Sequence, residues 1–416
     1  MSAEHDASRP APGHWVGTWT AAPQRAQAGD LPPPPFTRDG RVFADSTLRQ
    51  TVRVSAGGRR FRLRLSNAYG DTDLAVAAAC VALPGGGLAG VRSIAAGTSR
   101  AVTFGGRPAV VIPAGAQVVA DPLDFPLAAG ANVTVTVYLA DGQPASGGIT
   151  THPGSRTTSY LLAGNHIDDE DLAGAAAQDH WYFLSGVEAW SPAASAAAVV
   201  LGDSLTDGRG STTNGNDRWP DQLAARVWSD GAAGTAILNQ GMGGNRVLRD
   251  GLGPSVLARL DRDVLAVSGV RWLIVFAGVN DIGAADATQA AAGQVAADLI
   301  AAYAQIVVRA HALGISVYGA TLTPFGGSES YDDPHGHREA ARQAVNERMR
   351  ADGLFDAVID FDQAVRDPLR PRQLTPSVDI GDHLHLNPAG YLALASAVPL
   401  SLFRRVRCPL AGKEPP

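Results

Sequence analysis

Cysteine occurs only at positions 80 and 408 of this 416-residue chain. Two cysteines permit one disulfide, and free thiols are equally consistent, so the redox compartment stays open. Long apolar runs are also missing. No stretch approaches the roughly 18 apolar residues that span a bilayer, and the alanine-rich segments are broken by charges and glycine. Basic residues are not in surplus. A net charge of −6 and a pI near 5.9 argue against a nucleic-acid or anionic-membrane partner. The N-terminus, Met-Ser-Ala-Glu-His-Asp, lacks the basic and apolar regions of a secretory signal. As written, the chain is expected in the cytoplasm, although a secreted protein stripped of its leader would read the same.

What is present suffices for two domains, each with a sizeable core. Residues 1–36 read as irregular, with the tetraproline Pro32 to Pro35 as a short polyproline II segment and Trp15 and Trp19 packed against a domain. From about 40 to 190 the pattern has period two. Phe61-Arg-Leu-Arg-Leu65 and Val133-Thr-Val-Thr-Val137 are half-buried strands with one wet face. Recurrent Gly, Pro and Asn/Asp turns between such strands predict a β-sandwich or jelly roll over residues 1–190. On this alternation Arg59, Arg60, Arg62 and Arg64 form a solvated strand face.

Near 190 the period changes. Apolar strands are expected at 196–201, 236–239, 271–277, 315–321 and 357–361. Helices are expected at 218–229, about 254–267, 287–313, 336–352 and 388–403. This alternation predicts an α/β fold over 191–405, a five-stranded doubly wound parallel sheet. Residues 406–416 are a tail.

The strand ends carry the chemistry. Ligands of open α/β sheets bind just outside the carboxyl ends of the strands. The first strand runs into Gly202-Asp203-Ser204-Leu205, the second into a glycine loop ending at Gly244, and the third into Gly278-Val-Asn280-Asp281. Beyond the fifth lies Asp379-Ile-Gly-Asp382-His383-Leu-His385-Leu-Asn-Pro388. Acyl transfer needs a hydroxyl nucleophile, an imidazole to move its proton, a carboxylate to orient that imidazole, and donors for the developing oxyanion.

These blocks, in this order, resemble those of the SGNH (GDSL) hydrolase family, which has a flavodoxin-like fold. The β-rich front half, opening with Trp15-Val-Gly-Thr-Trp19, resembles the amino-terminal domain of a two-domain bacterial subgroup. The resemblance implies Ser204 as nucleophile, His385 as general base and Asp382 as its orienting acid. It implies an oxyanion hole from the Ser204 N–H, the Gly244 N–H and the Asn280 amide, with neither metal nor organic cofactor. The family often has Pro directly after its histidine, whereas this chain has Leu386 and delays Pro to 388.

Several competitors stand beside these residues. His383 is an alternative base, and Gly241 or Gly243 an alternative oxyanion glycine. Asp203 and Asp207 read as capping and loop-bonding residues. His335 and His337 beside Asp332 and Asp333 look superficially like a metal site, but they read as a solvated substrate-side loop because metals usually need three convergent ligands. The glycine loop lacks dinucleotide-binding and Walker spacing. The expected function is a serine esterase acting through an acyl-enzyme on a small-molecule or carbohydrate ester. Transfer to an acceptor hydroxyl, or carbohydrate binding with a silent catalytic domain, are the rivals. The acyl group, the alcohol and the oligomeric state are left open.

Overall fold

The computed structural model describes residues 13–404, apart from Ala233 and Asp352. The tail and Cys408 lie outside the described residues. Cys80 is a buried thiol in the strand Ala78–Ala82, and burial pushes its ionisation up.

The front half is β-rich, as the alternation predicts. Leu184–Pro192 and Gly58–Ser66 are the middle strands of a five-stranded antiparallel sheet. Ser46–Arg53 and Asn132–Leu139 are central in a six-stranded one. Phe61, Leu63 and Leu65 of the first sheet share one hydrophobic cluster with Val133, Val135 and Val137 of the second. Two sheets closing on a common core form a sandwich.

Three local expectations need correction here. Residues 13–20 are not irregular: Gly13–Thr20 is a strand paired antiparallel with Leu184–Pro192. The partner lies far along the chain, so nothing local reveals it. Pro32 to Pro35 is not a polyproline II run, because Pro34–Pro35 is cis and the Phe36 N–H donates to Pro33 O at 3.0 Å. The arginine face is not simply solvated. Arg62 and Arg64 grip the buried carboxylate of Glu188 at 2.5 and 2.6 Å, and Arg62 stacks over Trp15 at 4.3 Å.

Residues beyond 195 form the parallel sheet. Its strands are β1 (Ala196–Gly202), β2 (Thr235–Gly241), β3 (Val270–Phe276), β4 (Ser316–Ala320) and β5 (Ala357–Ile359). They lie in the order β2-β1-β3-β4-β5, every pair parallel. β1 is buried along its whole length, as a strand covered on both faces must be. With β2 and β3 on either side of β1, the strand order reverses there. That reversal opens the crevice in which doubly wound sheets hold ligands.

The helices are α1 (Ser204–Asp207), α2 (Trp219–Ser229), α3 (Val256–Leu260), α4 (Val279–Ala284), α5 (Gln289–His311), α6 (His337–Ala351), α7 (Phe361–Val365) and α8 (Pro388–Ala397). The helix expected over 254–267 is α3 running into a π-helical turn, Asp261–Leu265. The last helix stops at Ala397, because Pro399 has no N–H to continue it. By length and composition α5 could cross a bilayer, but here it buries Leu299, Tyr303 and Ile306 in the core.

The first front-half strand lies against the α/β half. Gly17 N–H donates to Ser268 O at 2.9 Å, and a side chain at Gly17 would collide with Leu238. Ser268 Oγ donates to Glu188 Oε1 at 2.8 Å, so Glu188 joins both halves. Burial alone would raise the Glu188 carboxyl, but Arg64, Ser268 and Arg62 outweigh it and hold it below its ordinary value. A depressed folded pKa stabilises above the unfolded value, and the effect fades as pH falls through the folded one. Glu188→Gln should therefore cost about 1–3 kcal/mol at pH 7. That deficit should narrow below pH ~4.3. Urea unfolding across pH measures it, and a Gln variant as stable as the parent at pH 7 would refute the coupling.

Candidate active site

β1 ends in a tight strand-to-helix turn. A side chain at Gly202 would meet Thr206 Oγ1 at 2.1 Å and Phe276 O at 2.8 Å, so only glycine fits where the chain turns into α1. Asp203 caps α1 by accepting the Leu205 N–H at 3.0 Å. Ser204 is thus the first residue of a helix at the carboxyl end of β1, and its side chain faces the cleft.

His385 reaches it from the other end of the domain. Its Nε2 is 2.8 Å from Ser204 Oγ, and its Nδ1 is 2.7 Å from Asp382 Oδ2. The three-residue spacing works through a turn. Asp382 Oδ1 accepts the N–H groups of Leu384 and His385 at 3.1 and 2.8 Å, which aims Oδ2 at the ring. The segment is clamped at its base by a bridge between Asp379 and Leu386. Pro388, delayed though it is, opens α8 behind the Asn387 cap. The competing His383 points elsewhere: its Nδ1 pairs with Asp379 at 2.7 Å, and its side chain is half exposed.

The candidate oxyanion donors differ in whether their N–H groups are free. Gly241 N–H is taken by Asn239 Oδ1 at 2.8 Å, and Gly243 N–H by Asp207 Oδ2 at 3.1 Å. Gly244, at φ +67°, is the next residue, and its N–H has no partner among the described residues. It lines the same cleft as Ser204 and Asn280. Asn280 Nδ2 donates to Asn245 O at 2.9 Å, which leaves its second N–H hydrogen for the cleft.

Four residues that sequence reasoning missed hold this arrangement. Tyr331 donates to Asn280 Oδ1 at 2.6 Å. An amide oxygen so engaged must present its nitrogen to Asn245 and the cleft. Arg259, fully buried, donates to Gly202 O, Gln240 O and Asn245 Oδ1 at 3.1, 2.8 and 2.8 Å. Its partner Asp263 accepts at 3.1 Å. His152, from the front half, bonds Asp207 Oδ1 at 2.9 Å and Ala22 O at 2.8 Å. Asp207 then grips the Gly243 N–H, so a front-half imidazole braces the glycine loop after β2. None of the four lies in a motif. Asp281, within one, accepts Val247 and Leu248 N–H at 2.8 and 3.0 Å. Asp333 accepts the N–H groups of His335, His337 and Arg338, the role of a helix cap.

Burial dominates the electrostatics. It pulls His385 below its ordinary value against the Asp382 carboxylate, with Arg209 and Arg156 adding to the depression. Burial also opposes ionisation of Asp382, but the His385 N–H and ring outweigh it and hold that carboxyl below its usual range. Asp203 is pushed up to about 7 by burial, against the pull of the Leu205 N–H, with Asp281 and Asp207 adding to the rise.

The side chains converge on a cleft of about 870 Å³. One wall comes from the α/β half: Ser204, Asn280, Tyr331, His385. The other is front-half: Gln24, Gln27, Asp30, His152, Gly154 and Arg156.

A serine at a strand end, an imidazole and a carboxylate stand in line on a parallel α/β sheet. Residues 200–393 match the model of the GDSL-like Lipase/Acylhydrolase family, which supports an esterase or acylhydrolase in general terms. Similar solved structures include the acetyl xylan esterase AlAXEase, 18% identical, with 48% of this chain and 96% of that one covered and a TM-score of 0.37. An acetyl xylan esterase from Geobacillus stearothermophilus is 21% identical over 51% and 97%, with a TM-score of 0.36. The lipase/acylhydrolase from Enterococcus faecalis is 19% identical over 49% and 92%, also with a TM-score of 0.36. No curated protein sequence matches.

This geometry predicts covalent labelling of Ser204 by a fluorophosphonate, and none in Ser204→Ala. The rate should rise with pH as His385 becomes neutral, with a midpoint below the ordinary histidine value of ~6.5. His383→Gln should label at a similar rate and His385→Gln far more slowly. A midpoint above 7, or the reverse ranking of the two histidines, would reject the assignment of the base. Labelling is followed by mass spectrometry.

Proposed function

We propose that this chain is a serine esterase that cleaves carboxylic esters through an acyl-enzyme on Ser204. The supporting observation is the continuous line from Ser204 Oγ through His385 Nε2 and Nδ1 to Asp382 Oδ2, at 2.8 and 2.7 Å, beside unpaired N–H donors.

The steps follow from the atoms. Ser204 Oγ attacks the ester carbonyl carbon while its proton passes to His385 Nε2. Negative charge moves onto the carbonyl oxygen, where the N–H groups of Ser204 and Gly244 and the Asn280 amide receive it. The C–O bond to the alcohol breaks, and His385 returns the proton to the departing oxygen. Water then gives a proton to His385 and its oxygen to the acyl carbon. Collapse frees the carboxylic acid and restores Ser204. Asp382 fixes the ring tautomer, with the proton on Nδ1, and stabilises the imidazolium. The breadth of the cleft, about 870 Å³, suits a short acyl group on a bulky alcohol.

Ser204→Ala should fold and lose esterase activity by at least ~10³. Asn280→Ala should lower kcat by about 10²–10³ with KM little changed, since its contribution arises only in the transition state. The assay is release of acid and alcohol in equal amounts from p-nitrophenyl esters and acetylated xylan. Ser204→Ala activity within tenfold of the parent would overturn the reading.

The pH profile tests the pairing. Because burial already lowers His385, the acidic limb of kcat/KM should lie below pH ~6.5. Asp382→Asn removes a charge that favours imidazolium, so the limb should move to still lower pH while turnover falls strongly. A limb that moves upward instead would mean Asp382 does not act on His385.

A further inference from the structure

The cleft holds two arginines with nothing to pair with. Arg156 and Arg209 both line it with Ser204 and His385. Neither guanidinium has a hydrogen-bond or ion-pair partner among the described residues, and the Arg156 Nε is buried without one. Every other feature of their placement is fixed. Arg156 sits at φ +49°, a left-handed conformation that strains a non-glycine residue. It is held there between Ser155 and Thr157, both buried, with Ser155 Oγ donating to Thr157 O at 2.7 Å. Arg209 follows the C-cap of α1. Its N–H donates to Ser204 O at 3.0 Å, and its carbonyl accepts from Tyr391 at 2.6 Å. Strain kept at a cleft-facing residue points to use.

A neutral acyl ester offers these groups no counterpart. A carboxylate does, because a guanidinium fork binds it bidentately and with charge assistance. The same cleft carries Asp30, Asp207, Glu329 and Asp382 on its lining, so repulsion grows with the ligand's charge and one carboxylate suits the two arginines better than a polyanion. Both arginines also lower His385, which places their positive field at the reacting atoms.

Resting on the esterase reading, we propose that Arg156 and Arg209 form an anion subsite, and that the preferred substrate is an ester carrying one carboxylate near the scissile bond. The carboxylate can belong to the acyl chain, as in a dicarboxylic hemiester, or to the alcohol, as in an acetylated uronic acid. Arg156 comes from the front half and Arg209 from the hydrolase half, so specificity is assembled across the two.

The test compares matched esters. p-Nitrophenyl hemisuccinate against p-nitrophenyl butyrate probes the acyl side, and acetylated galacturonic acid against acetylated galactose probes the alcohol side. In at least one pair the wild type should favour the charged member in kcat/KM. The charged-to-neutral ratio should fall by about tenfold or more in Arg156→Gln/Arg209→Gln. Arg209→Gln, an exposed change, and Arg156→Lys, which keeps the charge, should give intermediate ratios. A ratio at or below one in both pairs, or one unmoved by the double substitution, overturns the subsite while leaving the esterase intact. Binding to Ser204→Ala by calorimetry keeps the two readings apart. Preferential binding of the charged member, lost with the arginines, supports the subsite even if no ester is turned over, and equal binding of both members rejects it.

Discussion

A single buried guanidinium carries the geometry of the cleft. Arg259 is fully enclosed, and its donors end on carbonyls at the ends of two adjacent strands, on Asn245 and on Asp263. Taking such a charge out of water costs several kcal/mol, and only complete pairing recovers it. That requirement makes the arrangement nearly all-or-none. If Asn245 moves, Arg259 loses two bonds and Asn280 loses the carbonyl that its amide grips. The ends of β1 and β2, the oxyanion loop and the Asn280 amide are therefore set by one residue that touches no substrate.

The same network reaches the front half. Asp263 also accepts from Arg262, whose guanidinium donates to the Tyr69 hydroxyl at 2.7 Å and to Pro23 O at 3.3 Å. Thr20 donates to Asn239 O at 3.2 Å, and His152 reaches Asp207. A sandwich joined only by apolar contact could slide. Directional bonds to Asn239, Asp207 and Arg262 hold it beside the loops that follow β1 and β2. The β-rich half thereby shapes the wall that a substrate meets.

How much of this the sequence discloses depends on the range of the interaction. Period two and the strand–helix alternation are local, so the β-rich half, the five parallel strands and the strand-end blocks could all be read from it. The residues singled out there, Ser204, Gly244, Asn280, Asp382 and His385, line or border one cleft. The strand Gly13–Thr20 was invisible because its partner is Leu184–Pro192. Arg62 and Arg64 read as a wet face because their alternation is that of any half-buried strand, and only the distant Glu188 makes them structural. Tyr331, Arg259 and His152 act through single long-range hydrogen bonds, which leave no periodicity and no spacing. A left-handed φ at Arg156 has no sequence signature at all, since glycine is what such a position ordinarily selects.

The opposing pulls on His385 show why the cleft must be half open. Deep burial would keep the imidazole neutral and ready to accept a proton, but would make the imidazolium formed during attack too costly. Full exposure would let water compete for Ser204 and weaken every donor aimed at the oxyanion. Here the His385 side chain is 7% exposed, while Asp382, which would stabilise the charged form, is more open, with 35% of its side chain accessible. Asp382 stays ionised below its ordinary pKa because the His385 N–H and ring outweigh its partial burial. It can then offset, at the moment of proton transfer, the desolvation that favours neutral His385 before it. Arg156 and Arg209 act in the direction of burial on the empty site. A bound carboxylate would cancel their charge and make His385 more basic at the moment it is needed as a base. Binding of the anion and activation of Ser204 would then be one electrostatic event.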